Sequence, residues 1–177
     1  MCFRGKACHM DEQEKWEEIH KIQRSYFGEA YDYLKKTPKE QLEQLLHSRD
    51  YSSYILMLIG SFSYFDMKEI VDTFFEYIVS LSIDGSDSHI VWAKKIICSI
   101  DRFVLDEKLE EVVFNYLNSV KEKSDFYYIC RSTASLLYYI RYDSLLSKFL
   151  EIYCMNSDDP DIKDTFDEFN EYLFRTG

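Results

Sequence analysis

Five glycines and two prolines are all that 177 residues contain, and this scarcity limits the folds open to the chain. Gly supplies positive φ and Pro a fixed φ, so tight turns draw on both. An all-β sandwich needs a turn signal about every 8–12 residues. The chain cannot supply them, and it has no Gly-rich loop to cradle a phosphate. Its hydrophobic share of 46% and charged share of 30% belong to a chain that folds rather than a disordered one. At 21.3 kDa it has the size of a single domain, able to bury roughly 70% of its unfolded surface without disulfides or metals.

The spacing of apolar residues predicts helices throughout. The first runs from about Asp11 to Lys36, with Trp16, Ile19, Tyr26, Phe27, Ala30, Tyr33 and Leu34 on its inner side. Thr37-Pro38-Lys39-Glu40 reads as a capping box, opening a short helix that buries Leu42, Leu45 and Leu46. A helix apolar around most of its circumference starts near Asp50 and meets Gly60, which ends it or admits a close neighbour. Asp66 caps the next, with Met67, Ile70, Phe74, Ile78 and Leu81 inside, until Ile83-Asp84-Gly85-Ser86 breaks it. Ile90, Ala93, Ile97 and Ile100 share a face of the following helix, which His89 enters as an exposed residue. Asp106 caps a helix carrying Leu109, Val112, Val113, Tyr116, Leu117 and Val120. Phe126, Ile129, Cys130, Thr133, Leu137 and Ile140 form another stripe, and Asp143 opens a helix with Leu145, Phe149 and Ile152. After a loop at Asn156–Pro160, the last helix buries Ile162, Phe166, Phe169 and Leu173.

These starts recur. Long apolar helices begin near Asp50, Asp87 and Asp125, and their partners near Asp66, Asp106 and Asp143. The partner helices carry FFEYI, VFNYL and FLEIY at similar depth. Tandem helix pairs of about 37 residues are the signature of an α-solenoid. The expectation is an all-α fold, a degenerate α-solenoid of about three to four helix pairs plus a C-terminal helix. It makes one helical domain over 1–177: a frayed terminus at 1–10, a helix pair at 11–48, three helix-pair repeats at 49–157 and an acidic capping helix at 158–177. An irregular helical bundle is the alternative. Over 37–157 the pattern resembles HEAT-like and armadillo-like repeats, a resemblance of period and pairing that carries over no catalytic residue.

Acids outnumber bases by 32 to 21, giving −11 and a pI near 4.8. A phosphate-backbone binder has the opposite balance, so no direct nucleic-acid contact is expected. The excess lies beyond residue 50. Glu69, Asp72 and Glu76 share a face at i, i+3, i+7; Glu107 and Glu111 are i, i+4, with Glu110 beside them. Asp161 and Asp164 line the last helix with Glu168 and Glu171. Like charges so placed destabilise a helix by about 0.2–0.5 kcal/mol per pair. A solvated face is the plain reading; a docking surface for a basic protein is the sharper one. Fifteen tyrosines exceed what a core uses, and Tyr suits interfaces. The expected partner-binding set is Glu69, Asp72, Glu76, Glu107, Glu110, Glu111, Tyr77, Tyr116, Asp161 and Asp164.

Catalytic and metal signals are weak. Glu17 and His20 form one Glu-x-x-His, whereas a di-iron bundle needs two; Glu43 and His47 are spaced by four. Cys2, Cys8 and His9 do not fit a zinc site, and no nucleophile elbow surrounds any Ser. No cofactor, no metal and no enzymatic activity are expected. Five cysteines at irregular spacing imply no disulfide framework; Cys98, Cys130 and Cys154 fall in apolar helical stretches as small core residues. With no signal peptide and no apolar run long enough to span a bilayer, the expected location is the cytoplasm.

A small, acidic, all-helical chain of this kind is similar in size and character to bacterial immunity proteins of contact-dependent growth inhibition systems. That resemblance, one of type and not of motif, implies a partner: a toxin domain, often a nuclease with a basic cleft, which the immunity protein occludes. A scaffold or adaptor binding along a solenoid surface without inhibition is the alternative.

Overall fold

A computed structural model describes residues 12–122 and 124–176, and side chains as far as Leu173. Among the described residues all regular structure is helical: α1 (Glu12–Lys36), α2 (Lys39–Leu46), α3 (Ser52–Ile59), α4 (Tyr64–Thr73), α5 (Phe75–Asp84), α6 (Asp87–Ser99), α7 (Arg102–Val120), α8 (Phe126–Tyr139), α9 (Asp143–Phe149), a π-helical turn (Leu150–Cys154) and α10 (Pro160–Thr176). The fold is all-α. No helix among the described residues is long and apolar enough to cross a membrane. Cys2, Cys8 and His9 lie outside the described residues.

The chain divides into two compact units, with the boundary between Glu43 and Gln44, inside α2. In the first, α1 buries only Ala30 and Leu34. Trp16, Ile19, Tyr26 and Tyr33, expected on an inner face, are exposed, Trp16 at 62%. The 3.6-residue spacing is there, but nothing among the described residues covers its first half. The capping box at Thr37–Glu40 does not form either. The Thr37 hydroxyl donates instead to Tyr33 O (2.6 Å), closing the end of α1, while Pro38 O accepts from Gln41 and Leu42.

In the second unit lateral bonds link the helices in two series, or rows: α3, α6, α8 and α10 in the first, and α4–α5, α7 and α9 with the π-helical turn in the second. Each helix turns its apolar stripe inward: Leu105, Leu109, Val113 and Leu117 on α7 are all buried, as are Ile129, Ala134 and Leu137 on α8. Each such Leu, Ile or Val side chain contributes about 1.5–3 kcal/mol. Where Gly60 ends α3, an added Cβ would lie 3.3 Å from Ile96 Cγ1 and Trp92 Cε3, so glycine lets α6 come close.

Lateral bonds join neighbours within each row. In the first, Ser53 donates to Ser88 (2.7 Å), Lys94 to Ser135 (3.1 Å), and Arg131 pairs with Glu168 (2.7 Å). In the second, Lys108 pairs with Asp72 (3.4 Å) and Lys148 with Glu110, while Tyr116 donates to Asp84 (2.9 Å) and Tyr153 to Asn118 (3.1 Å). These partners lie 32 to 41 residues apart, close to the period of the helix starts.

Several boundaries depart from expectation for local reasons. Ser63, not Asp66, caps α4: its Oγ accepts from Asp66 N (3.2 Å) and donates to Asp66 Oδ2 (2.6 Å). Asp101, not Asp106, caps α7, accepting from Phe103 N (2.9 Å). The single helix expected across 67–81 breaks at Phe74, where φ −108° and ψ 19° leave the helical region. Phe74 and Phe75 are both buried, and the break lets two adjacent aromatics face the core. At Leu150–Cys154 the wider π turn does the same for Phe149 and Leu150. It also shifts the register of its own residues, so Ile152, expected inside, is 55% exposed. Cys130 and Cys154 are buried, but Cys98 is exposed.

Candidate functional site

The second row of helices presents the acidic residues in two settings. Glu69 on α4 and Glu107 and Glu111 on α7 lie opposite the buried stripes of their helices, on the outward crest. All three are exposed, and none forms an ion pair among the described residues. Asp72 and Glu110 lie on the flanks, where the next helix reaches them. Asp72 accepts from Tyr64 (3.0 Å) and pairs with Lys68 and Lys108. Burial pushes its carboxyl up, but Lys68, Tyr64 and Lys108 outweigh that and hold it below its ordinary value. Glu110 is bound by Lys148. These two carboxylates are spent on holding the row together.

Glu76 is exposed and unpaired among the described residues, but Phe74 separates it from the face of Glu69 and Asp72. It lines a cleft of about 240 Å³ between α5 and α7 with Val112, Asn115, Tyr116 and Ser119. Tyr77 and Tyr116 are half-buried and already engaged. Tyr77 donates to Leu46 O (3.0 Å) and its ring stacks on His47 at 4.3 Å. Burial, and then the Asp84 carboxylate, push the Tyr116 hydroxyl well above its ordinary pKa. Tyr77, Tyr116 and Tyr153 are the tyrosines of FFEYI, VFNYL and FLEIY, and each reaches back to the preceding segment. They are bolts between segments, and only the ring face of Tyr116 in the cleft remains for a partner. Asp161 and Asp164 are exposed and unpaired among the described residues, but they stand on α10, which packs on α8, α9 and the π-helical turn.

Sequence reasoning did not single out the bases of this row. Lys68, Arg102, Lys108 and Lys148 are every Lys and Arg in it, and all are in ion pairs with carboxylates. The crest therefore has unpaired acids and no unpaired base. Nor did it single out Phe65 and Phe103, each second in its helix, 87% and 70% exposed; their shared place in the period was the available signal.

Elsewhere, His89 is half-buried and not exposed as expected. Its Nδ1 accepts from Ser86 N–H (3.4 Å), and its Nε2 lies 2.7 Å from Ser52 Oγ. Among the described residues no three His, Cys, Asp or Glu side chains gather as metal ligands would.

Comparison of the chain with protein families, with curated proteins and with solved structures finds no match.

Proposed function

We propose that this chain is a toxin-neutralising immunity protein that binds and occludes the basic cleft of a cognate toxin, a ribonuclease by preference, in the cytoplasm. In this reading it has no catalysis of its own and needs no cofactor. The observation that carries the proposal is the crest: Glu69, Glu107 and Glu111 stand exposed without counter-ions among the described residues, on a row whose lysines and arginines are already consumed. Such a field attracts a cationic surface and raises its association rate. Glu76 and the ring of Tyr116 in the α5–α7 cleft supply a place for a basic side chain between helices. The two rows act in this proposal as turns of a short solenoid, which keeps the crests of α4 and α7 side by side. The test mixes the chain with purified cationic nuclease toxin domains. Salt-sensitive binding that abolishes cleavage supports the proposal, and cleavage untouched by saturating chain rejects it.

A scaffold reading has one observation in its favour. Phe65 and Phe103, exposed at matching places on α4 and α7, are apolar anchors that need no basic partner. Binding that tolerates high salt but is lost on Phe65→Ala and Phe103→Ala selects the scaffold.

A further inference from the structure

The corner between α8 and α9 combines a conformational cost, a cleft and two unpaired charges. α8 closes with Arg141 N donating to Tyr138 O (3.0 Å) and Tyr142 N to Leu137 O (2.8 Å), the two bonds of a Schellman motif. The residue in the left-handed position is Arg141, at φ 53°, where glycine is usual because a Cβ crowds the backbone. A cation at a helix C-terminus recovers part of that cost. The corner is braced from outside: Arg102 donates to Arg141 O (3.4 Å) and to Asp106 (3.0 Å), with its guanidinium 3.6 Å from the centroid of Tyr142. A strained residue held so firmly is a pointer to a role outside folding.

Arg141 opens onto a cleft of about 500 Å³ lined also by Tyr138, Tyr139, Asp143, Tyr172 and Leu173. That volume lies in the range of small-molecule sites. Its tyrosines are held by packing: the Tyr138 ring lies 5.1 Å from Tyr172 and 6.1 Å, edge-on, from buried Phe169. Arg141 and Asp143 are exposed on its lip, and neither forms an ion pair among the described residues. The net charge of −11 opposes a net anion, and Arg141 opposes a net cation. A neutral molecule carrying both charges meets neither objection.

We infer that this cleft binds a small zwitterion with an aromatic ring, of the kind of an aromatic amino acid. Its carboxylate meets the Arg141 guanidinium, its ammonium meets Asp143, and its ring lies on the tyrosine wall. The site is independent of the acidic crest and stands or falls apart from it.

The experiment titrates the full chain with L-phenylalanine and L-tryptophan by calorimetry and ligand-observed NMR. Two analogues run alongside: 3-phenylpropionate, which lacks the ammonium, and phenethylamine, which lacks the carboxylate. Saturable binding of either amino acid is expected, with each analogue weaker by about tenfold or more. Arg141→Gly and Asp143→Asn are each expected to weaken it to a similar degree. Because glycine suits the backbone at position 141, that variant stays folded and its melting temperature confirms it; Glu107→Gln leaves binding unchanged. No saturable binding of either amino acid, analogues binding as well as the amino acids, or binding indifferent to both lip variants would overturn the inference.

Discussion

Single residues carry much of the local specification, and Arg141 shows how such a cost is measured. Replacing it with glycine removes the Cβ clash at φ 53° and is expected to stabilise the fold by about 0.5–1 kcal/mol, read as a rise in melting temperature of about 1–4 °C. A fall would mean that the side chain supports the corner. Gly85 predicts the reverse. A Cβ there would stand 2.4 Å from Leu81 O and 2.7 Å from His89 Cβ, so Gly85→Ala is expected to cost about 1–3 kcal/mol in chemical denaturation. At Asp72 the sign follows from linkage. Its carboxyl titrates lower in the folded chain than its ordinary 3.8. It therefore adds stability above the unfolded value, and loses it as pH falls through that value toward the folded one. Stability is expected to decline below about pH 4, and less steeply in Asp72→Asn. At this scale the sequence was only partly legible. Asp66 and Asp106 looked like caps, but Ser63 and Asp101 stand upstream with side chains able to reach a free N–H. Which of two competent residues caps a helix depends on the preceding turn, and a sequence does not display that geometry.

Elements were read with more success, because apolar stripes at a 3.6-residue spacing are a redundant signal. The inward faces of α7, α8 and α10 hold Leu109, Val113 and Leu117, Ile129 and Leu137, and Ile162 and Phe169 as their spacing requires. Periodicity does not say whether a stripe is covered, which is why the first half of α1 misled. Leu109→Ala is therefore expected to cost about 2–5 kcal/mol, and Trp16→Ala less than about 0.5 kcal/mol, in the same denaturation experiment. Equal losses would mean that Trp16 is covered in solution. The break at Phe74 and the π turn at Leu150–Cys154 were illegible because each satisfies two adjacent buried side chains at once, a demand set by the neighbours. The recurrent tyrosines were visible at matching depth, but their partners Leu46, Asp84 and Asn118 sit one segment back, at distances only the fold fixes. Tyr116→Phe removes one such bond and is expected to cost about 1 kcal/mol, with the α5–α7 cleft otherwise intact. No loss would make Tyr116 free for a partner after all.

Across the whole molecule, charge and repetition meet in the second row of helices. Acids on the flanks of α4 and α7 take lysines from the next helix, and acids on the crests take none. The total of −11 was plain from composition; the division into spent and unspent carboxylates was not, because it depends on which side of each helix a neighbour occupies. The ten residues that composition and spacing group as one binding set therefore separate: Glu69, Glu107 and Glu111 on the crest, Glu76 in the cleft, Asp72 and Glu110 in lateral ion pairs, Tyr77 and Tyr116 as bolts, and Asp161 and Asp164 on α10. Only the first four stand unspent on the α4–α7 side, and the proposed binding rests on them. The most direct measurement is stopped-flow association with a cationic nuclease toxin domain that the chain binds. Wild type is compared with the triple variant Glu69→Lys, Glu107→Lys, Glu111→Lys across a range of ionic strength. The wild-type rate is expected to fall steeply with salt and to be slowed by about tenfold or more in the variant at low salt, with melting temperatures alike. Rates equal in the two proteins and flat in salt would contradict the proposal.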